Sequence, residues 1–169
     1  VLSTENLKRT QEEVSYLMDL AVEAAEKKLA ELGQENVRVR FVGKQELLPP
    51  KVREATLKVE QDTKDNTGMT LWMCLAYGSH AEIVDAARAA AQEGEITEES
   101  LRIHMWSAGM PDPDLIIRPG GEKRLSNFLL WQAAYSELFF LDVLWPEFTK
   151  KDFDAVLSEY LTRDRRKGR

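Results

Sequence analysis

The chain has 169 residues, 43% of them hydrophobic and 31% charged, with a formal net charge of -6, which is enough for one domain with a substantial core. That acidic balance argues against a general nucleic-acid binder, which needs an extended basic face. No apolar run is long enough to span a bilayer and no secretory signal is visible, so a soluble cytoplasmic protein is expected; a single cysteine, Cys74, leaves no intrachain disulfide and suits a reducing compartment.

In chain order, Val1-Leu2 runs straight into the polar Ser3-Thr4-Glu5-Asn6 and reads as the tail of a strand. Thr10 caps a long helix with Glu12 and Glu13 in its first turn and Val14, Leu17, Leu20, Ala21, Ala24 and Ala25 at helical spacing; Gly33 is placed to end it. The alternation of Val37, Val39 and Phe41 with Arg38 and Arg40 predicts a strand closed by Gly43. Pro49-Pro50 opens a helix to about Lys64, and Asn66-Thr67-Gly68 turns the chain into a strand from Met69 to Tyr77. Cys74 lies inside that apolar run with no basic neighbour, as expected of a core thiol. Helices are expected from about His80 to Gln92, after Thr97 with Glu98 and Glu99 in its first turn, and from about Lys150 to Arg163. Strands alternating with helices specify an α/β fold, a mostly parallel sheet flanked by helices on both faces, in a single domain over residues 1–169 without repeats or low-complexity segments. Trp72, Trp131 and Trp145 are assigned to packing, and His104 has no visible partner.

The stretch most suggestive of chemistry runs from Asp114 to Gln132. Leu115-Ile116-Ile117 reads as a strand buried on both faces, which puts Arg118 at its carboxyl end, where open α/β sheets hold ligands. Gly120 and Gly121 permit a backbone that brings main-chain N–H groups close to an anion, whereas Pro119 contributes none. Arg118, Arg124 and Ser126 add two guanidinium forks and a hydroxyl, a donor set suited to a diphosphate. The residues after them are expected to form an amphipathic helix whose start deepens the anion site. By itself a Gly-Gly turn with basic residues is also the composition of an ordinary solvated loop.

This stretch resembles the signature of the cis-prenyltransferases, the undecaprenyl diphosphate synthase family, and the match continues through Ala134-Tyr135-Ser136-Glu137-Leu138-Phe139-Phe140 and Val143-Leu144-Trp145-Pro146-Glu147-Phe148. Ser3-Thr4-Glu5-Asn6-Leu7-Lys8-Arg9 is similar to the family's Ser-x-Glu-Asn-Trp-x-Arg-Pro motif, departing from it at Leu7 and Thr10. The resemblance implies that Asn6 and Arg9 face the reacting diphosphates with Ser3 nearby, although Ser3 and Asn6 could equally cap a loop. It further implies that Glu137 is a Mg²⁺ ligand, a role a lone solvated glutamate would not otherwise be given. Arg166-Lys167-Gly168 matches an Arg-x-Gly signature that reaches the neighbouring subunit's isopentenyl diphosphate in dimeric members, so Arg166 and Gly168 are expected at a homodimer's substrate site. Ala76-Tyr77-Gly78-Ser79-His80 departs from the family's Asn-Tyr-Gly-Gly-Arg, and no role is carried onto His80, which is expected exposed at a helix start.

The implied activity joins isopentenyl diphosphate to an allylic diphosphate, with farnesyl diphosphate the expected starter, to give a cis-polyprenyl diphosphate. The product would grow along an apolar channel lined by the helices from Thr10 and Pro50, and it would bring the protein to the membrane surface. No nucleic acid enters this reading. The family's Asp-Gly-Asn-Gly-Arg segment, which holds the allylic diphosphate and supplies the catalytic aspartate, matches nothing in these residues. The expectation is therefore an N-terminally incomplete enzyme whose 169 residues are inactive alone. The alternatives are a non-catalytic partner subunit that binds isopentenyl diphosphate, or a second chain that completes the site. The incomplete enzyme is preferred because the chain starts inside a strand and keeps Arg124 and Ser126.

Overall fold

Capping chemistry and apolar spacing set most element boundaries in the computed structural model, which describes residues 2–164. The chain divides into two units, one ending at Met110 and the other starting at Pro111. All strand pairs among the described residues are parallel, as expected for an α/β fold.

In the first unit, β1 (Leu2–Ser3) passes through a 3-10 turn, Thr4–Lys8, to α1 (Gln11–Glu23). Thr10 caps α1 through a reciprocal pair in which Thr10 Oγ1 accepts from the Glu13 N–H and the Glu13 side chain accepts from the Thr10 N–H. The helix continues through a π segment, Ala24–Leu29, into α2 (Ala30–Gln34), and the chain reverses at Asn36, whose φ is 61°. Helical structure thus runs past Gly33 rather than ending there. A Cβ on Gly33 would lie 2.8 Å from Thr63 Cγ2, so the glycine serves close packing. Val14, Leu17, Ala21 and Ala25 of the expected stripe pack in the core. The stripe also takes in Met18, Val22 and Leu29, whereas Leu20 is exposed.

After β2 (Arg38–Val42) and α3 (Pro50–Asp62), β3 (Thr70–Tyr77) enters between the other two strands, giving the order β1-β3-β2 with Leu2 opposite Leu75 and Val42 opposite Cys74. One core cluster joins Leu2, Met18, Val22, Leu48, Val52, Leu75 and Ala76, and a second joins Ala25, Leu29, Val39 and Val59. Each of the valine, leucine and methionine side chains among them contributes about 1.5–3 kcal/mol on burial. The outer edge of β2 is covered by α3: the Val39 N–H donates to Thr63 Oγ1 at 3.0 Å and the Phe41 N–H to Glu60 Oε1 at 2.8 Å. These side chains consume the donors that would otherwise template another strand. α4 (Ser79–Glu93) and α5 (Glu98–His104) complete the unit.

In the second unit, β4 (Leu115–Pro119) pairs with β5 (Glu137–Leu141), with Leu115 opposite Glu137 and Arg118 opposite Phe140. Ile116 is buried, whereas Leu115 and Ile117 are half-buried, so β4 is not covered on both faces within this structure. α6 (Lys150–Thr162) starts at Thr149, which shares a reciprocal cap with Asp152. The helix expected after Ser126 is absent. Ser126, Asn127 and Leu129 have φ of 50°, 63° and 47°, outside the right-handed helical region, and residues 126–135 form successive turns and bends. Trp145 is also not a packing residue in the expected sense: it is 73% exposed and stacks on Phe148 with ring centroids 6.0 Å apart.

Candidate active site

A parallel strand leaves the carboxyl end of its ladder open to ligands, and Arg118 lies there on β4. Its Nη1 donates to Ser126 Oγ at 3.0 Å and also to the Arg124 carbonyl. Arg124 Nε donates to the same hydroxyl at 3.2 Å, and its Nη1 pairs with Glu122. Arg118, Arg124 and Ser126 therefore converge. Two guanidiniums meet on one hydroxyl, and an anion with several oxygens can replace these internal contacts with its own. The left-handed backbone at Ser126 and Asn127 produces this convergence by folding the segment back toward the strand end.

Gly120 and Gly121 act differently from the sequence expectation. Their φ values of 106° and 76° make the sharp turn, yet their N–H groups donate to Val143 O and Leu141 O, each at 2.8 Å. The turn is thus tied to the end of β5 and the residues just after it, and the donors that face an anion belong to side chains.

Glu137 starts β5, three register positions from the level of Arg118, or roughly 10 Å of strand at ~3.3 Å per residue. The structure does not place Glu137 beside the arginine–serine cluster. Its Oε2 accepts from Arg163 Nη1 at 2.8 Å; Arg163 Nη2 donates to Glu159 Oε1 at 2.5 Å, and the guanidinium lies 4.0 Å over the Phe139 ring. Among the described residues no three His, Cys, Asp or Glu side chains form a metal cluster. Mg²⁺ is commonly held by one or two carboxylates with substrate phosphates and water, and Glu137 offers a single carboxylate that is already paired with Arg163.

In the first unit, Ser3 and Asn6 bind each other: Asn6 Oδ1 accepts from the Ser3 N–H at 2.9 Å and from Ser3 Oγ at 3.0 Å, and Ser3 Oγ accepts from the Asn6 N–H at 3.3 Å. The pair caps the 3-10 turn just beyond the carboxyl end of β1, and Arg9, exposed, terminates it. His80 is exposed in the first turn of α4, as expected. His104, unassigned from the sequence, has Nε2 3.1 Å from Glu93 Oε2. Arg166 and Gly168 lie outside the described residues.

A buried acid escaped the sequence reading. Glu82 is fully buried in the first turn of α4, with Oε2 accepting from Tyr77 Oη at 2.5 Å and Oε1 from the Ser107 N–H at 2.8 Å. Burial, with the hydrogen bond to Glu82, raises the Tyr77 phenol above its ordinary range. The available signal was an acid one turn into a helix that follows a strand ending in tyrosine. Burial likewise pushes the Cys74 thiol from 9.0 to about 11, consistent with an inert core cysteine.

Residues 1–168 match the family described as "putative undecaprenyl diphosphate synthase". The isoprenyl transferase of Thermotoga maritima is 48% identical over 172 residues, covering 98% of this chain and 74% of that protein. That of Thermus thermophilus is 45% identical over 183 residues, covering 100% and 70%. Among solved structures, a probable undecaprenyl diphosphate synthase from Campylobacter jejuni superposes with a TM-score of 0.91 at 36% identity, over 99% of this chain and 80% of that one. Lavandulyl diphosphate synthase from Lavandula x intermedia, in complex with dimethylallyl diphosphate, superposes with a TM-score of 0.94 at 32% identity, over 99% and 76%. With its parallel strands, its arginine–serine cluster at a strand end and identity of this extent, the chain belongs to the undecaprenyl diphosphate synthase family of prenyltransferases.

Proposed function

We propose that this chain carries the isopentenyl diphosphate site of a cis-prenyltransferase, and that Arg118, Arg124 and Ser126 hold the diphosphate. The observation that carries the reading is the convergence of both guanidiniums on the Ser126 hydroxyl at the carboxyl end of β4. In the reaction, the isopentenyl double bond attacks C1 of an allylic diphosphate, for which farnesyl diphosphate is the proposed starter. The C–O bond breaks, diphosphate leaves with the electron pair, and the isopentenyl unit loses a proton. The cluster fixes the acceptor in reach of the allylic carbon and lowers the entropy cost of bringing two anions together. Ser3, Asn6 and Arg9, at the carboxyl end of β1, are proposed to serve the reacting diphosphates. For Asn6 this requires exchanging its bonds to Ser3 for bonds to substrate.

Glu137 would hold Mg²⁺, which when bound offsets the diphosphate's negative charge. The turn at Gly120 and Gly121 supports the cluster, and Arg166 and Gly168 are proposed to act at a partner copy's site in a homodimer. No described helix is long and apolar enough to cross a membrane, and a cytoplasmic enzyme that releases its lipid product at the membrane surface fits the reading.

Labelled isopentenyl diphosphate tests it. The enzyme completed with an Asp-Gly-Asn-Gly-Arg segment is expected to incorporate label into lipid in a Mg²⁺-dependent way, the 169-residue polypeptide alone to make none, and Arg124→Ala to abolish incorporation. Full activity in R124A would remove the arginine–serine cluster from the mechanism.

A further inference from the structure

Val39 on β2 faces the core, so Arg38 and Arg40 share the opposite face of the strand, roughly 7 Å apart at ~3.3 Å per residue. Both are half-buried, and Arg38 Nε is buried with no hydrogen-bond acceptor among the described residues. α3 and the turn after it bring Leu57 and Lys64 to the same groove, of about 410 Å³. Two carboxylates line it as well, but they do not neutralise the cations. Glu60 Oε1 accepts from the Phe41 N–H at 2.8 Å, and among the described residues neither Glu60 nor Asp65 pairs with Arg38, Arg40 or Lys64. The other lysines of α3 are paired, Lys51 with Asp19 and Lys58 with Asp62.

A guanidinium donor withdrawn from water needs an acceptor, and orphans of this kind are rare in folded chains. Water would satisfy Nε but would not offset the charge of three cations on one groove. A carboxylate brings two oxygens and one charge. A phosphoryl group brings three oxygens and up to two charges, and guanidinium forks take its oxygens two at a time. We propose that Arg38, Arg40 and Lys64 form a binding site for a soluble phosphoryl-bearing anion at the amino end of β2, where Leu57, 60% exposed, can receive an apolar part of the ligand. The site is separate from the residues proposed to serve the reacting diphosphates at the carboxyl end of the same sheet. Arg38 lies opposite Thr70 and Ser3 opposite Tyr77, seven residues apart on β3, or roughly 23 Å at ~3.3 Å per residue. Glu60 and Asp65 at the groove and the net charge of -6 disfavour an anionic membrane surface, whereas a concave groove admits a single group.

The test reads the site directly. Inorganic diphosphate is titrated into the isotope-labelled intact protein in metal-free buffer, against sodium chloride of equal ionic strength, and the arginine Nε–H signals are followed by nuclear magnetic resonance. The Arg38 and Arg40 signals are assigned by their loss in R38K and R40K. Both are expected to shift saturably, with one shared affinity, in diphosphate and not in chloride. Lys64 is exposed, so K64Q leaves the strand intact; it should weaken that affinity on the order of tenfold, the scale of one charge-assisted hydrogen bond. The Arg118 and Arg124 signals report the proposed isopentenyl diphosphate site in the same titration, so failure of either site is seen separately. Arg38 and Arg40 signals that stay still in diphosphate, or that move equally in chloride, would overturn the proposal, as would K64Q binding as tightly as wild type. Co-sedimentation with vesicles of phosphatidylcholine and phosphatidic acid in equal parts separates the two sources of a phosphoryl group. Capture that K64Q abolishes and inorganic diphosphate does not displace would assign the groove to a lipid headgroup and overturn the soluble ligand.

Discussion

Glu82→Gln changes one buried atom and should be costly. The donors to the carboxyl group of Glu82 include the Tyr77 hydroxyl at 2.5 Å and the Ser107 backbone N–H at 2.8 Å, inside a fully buried site. An amide has one acceptor oxygen and one NH₂ group, so it cannot receive both. The Ser107 N–H is fixed by its backbone and keeps the oxygen. The Tyr77 hydroxyl must then rotate to accept from the new NH₂ and turn its own hydrogen away from its partner. A buried donor deprived of its partner costs about 1–3 kcal/mol, so E82Q should lose about 2 kcal/mol. Glu82→Ala loses both bonds and leaves a cavity, which should cost about 3–5 kcal/mol. Urea unfolding of wild type, E82Q, Y77F and the double variant measures these losses. The E82Q and Y77F losses should fall short of additivity by about 0.5–3 kcal/mol, as expected of contacting partners. An E82Q protein within 0.5 kcal/mol of wild type, or strict additivity, would refute the account of Glu82 as the shared acceptor of Tyr77 and Ser107.

Two further outcomes follow from burial and close packing. The Cys74 thiol is raised from 9.0 to about 11 in the folded protein. The unfolded chain therefore releases that proton first, and stability falls as pH rises from 9 to 11, by at most about 2.7 kcal/mol at ~1.36 kcal/mol per unit. Cys74→Ala should flatten that part of the stability–pH curve, and parallel curves for the two proteins would count against the thiol as the cause. Gly43 has φ of 138°, and a Cβ there would sit 1.8 Å from the Leu75 carbonyl oxygen. Gly43→Ala should cost more than about 4 kcal/mol or abolish cooperative unfolding, and a melting temperature near that of wild type would contradict this.

What could be read from the sequence was what neighbours along the chain determine. Thr10 with Glu13 and Thr97 with Ser100 are reciprocal caps three residues apart, so both helix starts were legible. The alternation of Val37, Val39 and Phe41 gave β2 its face. The misreadings have local physical causes as well. Phe128-Leu129-Leu130-Trp131 carries the apolar density of a helix, but periodicity is silent about backbone sign, and the positive φ values at Ser126, Asn127 and Leu129 exclude one. β5 is a continuous apolar run, Leu138 to Leu141, with neither period on display, so it was legible as part of a motif and not as a strand.

The same distinction divides the candidate site. Arg118, Arg124 and Ser126 span eight positions around a tight turn, so their convergence is almost a property of the loop, and residue type and spacing sufficed to find it. Glu137 depends on Arg163, 26 residues away, because parallel pairing brings Glu137 to the start of β5 and α6 returns Arg163 over Phe139. No pattern along the chain marks that pair. Sequence resemblance can single out Glu137, but its pairing with Arg163 is a contact that only the folded second unit supplies. A substitution at residue 163 would therefore leave the Tyr135-Ser136-Glu137 signature intact while removing the guanidinium from which Glu137 Oε2 accepts.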